Sequence, residues 1–202
     1  MDEFKIIIKE VSLLLKQLGL VRKRNTFYKV SDKNYGIINF QKSRDSTKEV
    51  IKFTINFGAY SDVLGRLQYG YSDSVKPGVD QCQWGARVGE FMPSSPDYWW
   101  YLKVSNFHAV ISEVMEAIQS RIMPELNKRM SDEDLINSWI NERHAGTTAM
   151  GRFIYLTTLL KAKGDSDTLN QIVEAFMEES KGRPNASRAI EYLKEIEYTG
   201  AN

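Results

Sequence analysis

In Val50-Ile51-Lys52-Phe53-Thr54-Ile55-Asn56-Phe57, apolar and polar side chains alternate over the seven positions from Ile51. Only an extended strand puts every second residue on one face, so Ile51, Phe53, Ile55 and Phe57 are assigned to a core. Lys52, Thr54 and Asn56 then share the opposite face. Upstream, Tyr35-Gly-Ile-Ile-Asn-Phe-Gln-Lys-Ser43 reads as a second strand, Ser31-Asp-Lys-Asn34 as a turn and Thr26-Phe-Tyr-Lys-Val30 as a further strand. Downstream, 82–91 reads as a strand with an irregularity at Gly85, and Tyr98-Trp-Trp-Tyr-Leu-Lys-Val104 as another. Between them lie a short helix or excursion at 61–71, a loop at 72–80 containing Pro77-Gly78, and a turn at Pro93-Ser-Ser-Pro96. Strands joined by such short links predict an antiparallel sheet.

Helical spacing brackets this region. Phe4, Ile7, Ile8, Val11, Leu14, Leu15 and Leu18 form one apolar stripe, with Gly19 placed to end it. Val110, Ile111, Val114, Met115, Ile118 and Ile122 form a second, which Pro124 stops or kinks. Ser131 with Asp134 resembles a capping box, opening a helix through Leu135, Trp139 and Ile140. Further helices are expected at 147–162, 167–180 and 184–197, the last with Pro184 in its first turn. The predicted fold is α+β. An antiparallel sheet of about five strands carries the N-terminal and 106–123 helices on one face. An α+β domain over 1–130 is followed by an α-helical C-terminal subdomain over 131–202.

Several motifs occur in a fixed order: Arg24-Asn-Thr-Phe-Tyr28, Ile38-Asn-Phe-Gln-Lys-Ser43, Phe53-Thr-Ile-Asn-Phe-Gly58, Cys82 with Arg87-Val-Gly89, and Asp97-Tyr-Trp-Trp100. Over about residues 4–125 the chain resembles the bacterial family known as domain of unknown function 4304. The resemblance implies a bacterial source and an α+β fold, and it implies no activity.

Charge is uneven along the chain. Residues 1–56 hold 12 Lys/Arg against 6 Asp/Glu, residues 57–130 hold 7 against 8, and residues 131–202 hold 8 against 12. A basic front and an acidic tail can mark two surfaces or merely two solvated faces. The single cysteine, Cys82, excludes an intrachain disulfide and a cysteine metal cage, and fits a reducing compartment. With no apolar run near the roughly 20 residues of a membrane span and no signal-like start, a cytoplasmic protein is expected.

No phosphate-cradling, dinucleotide-binding, GxSxG or HExxH spacing occurs, and His108 and His144 lie on or beside different helices. Enzymatic activity is disfavoured, with hydrolysis through Cys82 left as a third reading, and no metal or cofactor is expected. Cys82 reads as a small buried residue before a nucleophile, and Asp97 and Glu90 as surface acids near a turn. What remains is a binding surface. If 35–43 pairs with 50–58, Asn39, Gln41, Ser43, Thr54 and Asn56 share a polar face of donors and acceptors suited to recognition. The same residues also satisfy one another in a cross-strand ladder. Trp84, Trp99 and Trp100 lie on neighbouring strands, with Trp99 and Trp100 on opposite faces. Arg87 beside an exposed Trp99 makes a binding edge, while burial of the tryptophans between sheet and helices makes core. Arg22-Lys-Arg24 with Phe27-Tyr28 mixes basic and aromatic residues as phosphate and base contacts require, yet the near-neutral chain disfavours nucleic acid. The candidate binding residues are Arg24, Asn39, Gln41, Ser43, Asn56, Trp84, Arg87 and Trp99. The expectation is a non-catalytic protein-binding module, of which an immunity-type protein that occupies a toxin's surface is one form. A small-ligand or nucleic-acid binder is the alternative, and the oligomeric state is left open.

Overall fold

The computed structural model describes residues 3–70, 76–93, 97–142 and 146–200. Residues 72–75 of the predicted loop, residues 94–96 of the predicted turn, and His144 lie outside them.

The first helix, α1 (Glu3–Gln17), buries Phe4, Ile7, Ile8, Val11 and Leu15, the predicted stripe. Gly19, at φ 84, ends it, and Leu20 N–H bonds back to the Leu15 carbonyl. Strands β1 (Val21–Lys23), β2 (Thr26–Ser31), β3 (Asn34–Lys42) and β4 (Ile51–Tyr60) follow as consecutive antiparallel neighbours. Helix α2 (Asp62–Tyr69) is capped by Ser61 Oγ. Strands β5 (Trp84–Arg87) and β6 (Trp100–Leu102) then share the outer edge of β4, pairing with residues 56–59 and 51–53. The gap between them is bridged where Thr54 Oγ1, fully buried, donates to the Tyr98 carbonyl at 2.9 Å.

Helix α3 (Phe107–Ala117) continues through a π-turn (Ile118–Ile122) into α4 (Met123–Asn127). Pro124 therefore neither stops nor simply kinks the helix. The widened turn absorbs its missing N–H and its ring's demand on the preceding carbonyls. Then come α5 (Asp132–Asn141), α6 (Ala149–Lys163), α7 (Ser166–Glu179) and α8 (Pro184–Glu195). Both hydrogen bonds of the Ser131/Asp134 capping box form, at 3.0 Å each.

The α+β architecture is as the periodicity predicts. The core face of the sheet presents Phe27, Ile38, Phe40, Ile51, Phe53, Ile55, Phe57, Trp84 and Trp100 to the helices. That buried cluster is continuous from Phe4 in α1 to Leu193 in α8. Helix α6, buried nearly all round, is packed by α2, α5, α7 and α8. Its buried hydroxyls are satisfied within the helix, Thr157 by the Phe153 carbonyl and Thr158 by the Ile154 carbonyl.

Arg129, which sequence reasoning passed over, is the polar centre of this packing. Its side chain is wholly buried, with its guanidinium 4.0 Å from the centre of the Trp84 ring. Nε donates to Ser138 Oγ at 2.9 Å, Nη1 to the Glu125 carbonyl and carboxylate at 2.6 and 2.9 Å, and Nη2 to Glu142. Burial raises the Glu125 pKa, but hydrogen bonds from Lys128 and Arg129 outweigh it and hold the carboxyl below its usual range.

Candidate functional site

The second face of the sheet divides in two. At one end Tyr28, Ile37 and Tyr60 pack together under Val79 and Cys82. This is the end that residues 76–83 cover, with Cys82 packed against it. The thiol lies over Gly58, and burial, reinforced by Asp80, pushes its pKa far up. A group raised in the folded state contributes stability below its unfolded value, near 8.5 for a thiol, and loses it as pH climbs further. Iodoacetamide at pH 8 is therefore expected to leave the native protein unmodified and to alkylate it in urea. Stoichiometric labelling of the native chain, read by mass, would refute the enclosed thiol.

The other end is open, and here register assembles the polar residues. Asn39 pairs with Thr26 on one side and Asn56 on the other, Asn56 pairs with Arg87, and Gln41 pairs with Thr54. Alternation alone puts these side chains on one face. Asn39 Nδ2 donates to Thr26 Oγ1 at 2.8 Å, Asn56 Nδ2 to Gln41 Oε1 at 2.7 Å, and Arg87 Nε to Asn56 Oδ1 at 3.3 Å. The cross-strand ladder forms, and the same amides remain at the surface: Gln41 is exposed, Asn39 and Asn56 half-buried.

Trp99 closes the open end, lying between two cations. Lys52 Nζ is 4.9 Å and the Arg87 guanidinium 5.2 Å from its ring centre. Asp97 fixes this stack by accepting from both Arg87 Nη1 and Trp99 Nε1. Those two hydrogen bonds hold the Asp97 carboxyl below its ordinary range. Glu90 accepts from the Arg87 backbone N–H at 2.7 Å, so both acids bond to Arg87. Tyr101, across from Lys52, is 54% exposed and extends the platform.

Five of the eight candidate residues, Asn39, Gln41, Asn56, Arg87 and Trp99, thus lie together. Ser43 sits just beyond β3, where its Oγ accepts from the Asp45 N–H and stabilises the turn toward β4. Two candidates lie elsewhere. Trp84 is fully buried on the core face, because β5 pairs Ala59 with Trp84 and so sends the indole toward Arg129. Arg24 occupies the β1–β2 turn, beside α1. Trp99 and Trp100 do point to opposite faces: Trp100 is core, stacked on Phe53, while Trp99 remains half-exposed and is not buried between sheet and helices. Lys52, Asp97 and Tyr101 are site members that sequence reasoning did not select. The alternation of β4 had already put Lys52 on the polar face, and Asp97 stands two residues from Trp99.

Among the described residues no group of three His, Cys, Asp or Glu side chains is placed to hold a metal ion. No described helix is long and apolar enough to cross a membrane. The family model described as Domain of unknown function (DUF4304) matches residues 11–128. No curated protein and no solved structure matches the chain.

Proposed function

The chain belongs to the DUF4304 family, and from that premise we propose that it is a non-catalytic protein-binding module whose contact surface is the open half of the sheet. The observation that carries this reading is the Lys52–Trp99–Arg87 stack, pinned by Asp97 and bordered by surface amides. Tryptophan, tyrosine and arginine dominate the binding energy of protein interfaces. Here Arg87 and Tyr101 stand on strands and Trp99 immediately before one, which lowers the entropy lost on docking. The platform offers hydrogen bonds and ring faces.

An immunity-type role, in which the surface of a toxin is occupied and its activity blocked, fits such a module. The acidic helical third would favour a basic partner. Its place is the cytoplasm of a bacterial cell, in keeping with the family resemblance and the single enclosed thiol.

The test is affinity capture from the source cells with the intact chain and with a Trp99→Ala/Arg87→Ala variant. The intact chain should retain a stoichiometric partner, and the variant should bind it at least about thirtyfold more weakly. Recovery of no stoichiometric protein would count against the module. A second reading draws on the same cation-flanked ring: a single-stranded nucleic acid stacking on Trp99 and Tyr101. It requires salt-dependent binding of a short oligonucleotide that the same variant abolishes, and no binding at low salt sinks it.

A further inference from the structure

Helix α1 carries Lys5, Lys9, Ser12 and Lys16 at steps of four, three and four residues, with the lysines exposed and Ser12 half-buried. Such steps return to one side of a helix, so the three ammonium groups form a stripe about 16 Å long. Helix α7 repeats the spacing with Asp167, Gln171, Glu174 and Glu178, all exposed. One stripe is cationic and the other anionic, and each is interrupted once by a neutral residue, Ser12 or Gln171. Neither is neutralised where it stands. Among the described residues, Lys5, Lys9, Lys16, Asp167 and Glu174 have no ion-pair partner. Glu178 has Lys181 at 3.7 Å, with both side chains almost fully solvated. Lys5 with Lys9, and Glu174 with Glu178, are like charges one turn apart, which weakens a helix that carries them alone.

We propose that the α1 stripe binds the α7 stripe of a second copy of this chain, with the two helices antiparallel. In that direction Lys5 stands opposite Glu178, Lys9 opposite Glu174 and Lys16 opposite Asp167. The two neutral positions, Ser12 and Gln171, then face each other. A parallel arrangement would make only two charge pairs, since it sets Lys9 against Gln171 and Ser12 against Glu174. Antiparallel macrodipoles also attract. A nucleic acid backbone would serve the lysines and leave the acidic stripe without a partner, and a basic peptide would do the reverse. One contact between copies accounts for both stripes and for their common spacing. Because each copy offers one stripe of each sign, the contact joins unlike patches. Built from exposed pairs, it is weak and salt-dependent. It uses no residue of the Trp99 platform and does not depend on it.

Sedimentation equilibrium of the full chain at rising concentration, in about 20 mM and about 500 mM salt, tests this. The average mass should climb with concentration at low salt and return to that of one chain at high salt. Lys5→Glu/Lys9→Glu should weaken association at least about tenfold, and so should Glu174→Lys/Glu178→Lys. Each change puts a favourable charge near its helix end, so both variants should keep the parent's circular dichroism and melting. Mixed in equal amounts they should associate again, because each supplies the stripe that the other needs. Trp99→Ala should leave association unchanged. A chain that stays single at low salt overturns the proposal. So does association that either reversal leaves intact, or a mixture that fails to recover it. If the chain stays single and a short DNA duplex binds through Lys5 and Lys9, the basic stripe serves a polyanion and the proposal falls.

Discussion

Arg129→Ala is expected to lower the stability of this protein by about 3 kcal/mol, at the low end for breaking a buried ion pair because both carboxylates reach solvent. For a chain of this length, that is a fall in Tm of roughly 6–12 °C. Glu125 and Glu142 are left facing each other across an emptied site, Ser138 loses a donor, and the Trp84 ring loses the cation stacked on it. Replacing one partner is worse than replacing all, since the surviving charges stay poorly solvated. Arg129→Met with Glu142→Gln should therefore cost less than the sum of the two single changes. A double-mutant cycle by urea denaturation measures that coupling. If Arg129→Ala alone costs less than about 1 kcal/mol, the guanidinium is not the polar centre of this packing.

Gly58→Ala should cost a comparable amount for a steric reason. A Cβ at residue 58 would stand 2.6 Å from the Trp84 carbonyl oxygen and 2.7 Å from Cys82 Cβ. The first of these is backbone, so no rotamer change relieves it, and the 82–84 segment has to lift from β4. Overpacking of this kind costs typically 1–3 kcal/mol, occasionally more, and the rigid contact puts this case at about 3 kcal/mol. The lift has its own readout, because it uncovers the thiol. Gly58→Ala should become reactive to iodoacetamide under native conditions where the parent chain is not. Unchanged stability together with an unreactive thiol would mean that residues 82–84 yield freely.

Much of the architecture was legible because single residues carried it. The alternation in β4 has one interpretation, and Ser131 with Asp134, Gly19 and Pro184 mark helix ends by mechanisms that act within one turn. The open polar face was legible too, since alternation in two adjacent strands sends Asn39, Gln41 and Asn56 the same way. What could not be read depends on distant pairing. Strand β1 has only three residues, and its turn uses Arg24-Asn25 in place of a glycine pair, so nothing local announces a hairpin. The strand read over 82–91 is cut to Trp84–Arg87, because beyond Arg87 the outer edge of β4 passes to β6. Trp84 was misplaced for a related reason: its face depends on the register against Ala59. Arg129 sits in Lys128-Arg129-Met130, which resembles any solvated helix end. The only hints were the four-residue steps from Glu125 to Arg129 and from Ser138 to Glu142, which become one cluster only when α4 and α5 pack.

The family match ends at residue 128, and the next residue is the arginine on which sheet and helices meet. A chain cut there would bare the face of the Trp84 indole. It would also leave the Gly85 N–H without the Gly146 carbonyl and Asn34 without Asp132. The helices beyond 128 therefore complete the packing of the segment before them. The buried core does not stop where the family match does: it runs from Phe4 in α1 to Leu193 in α8.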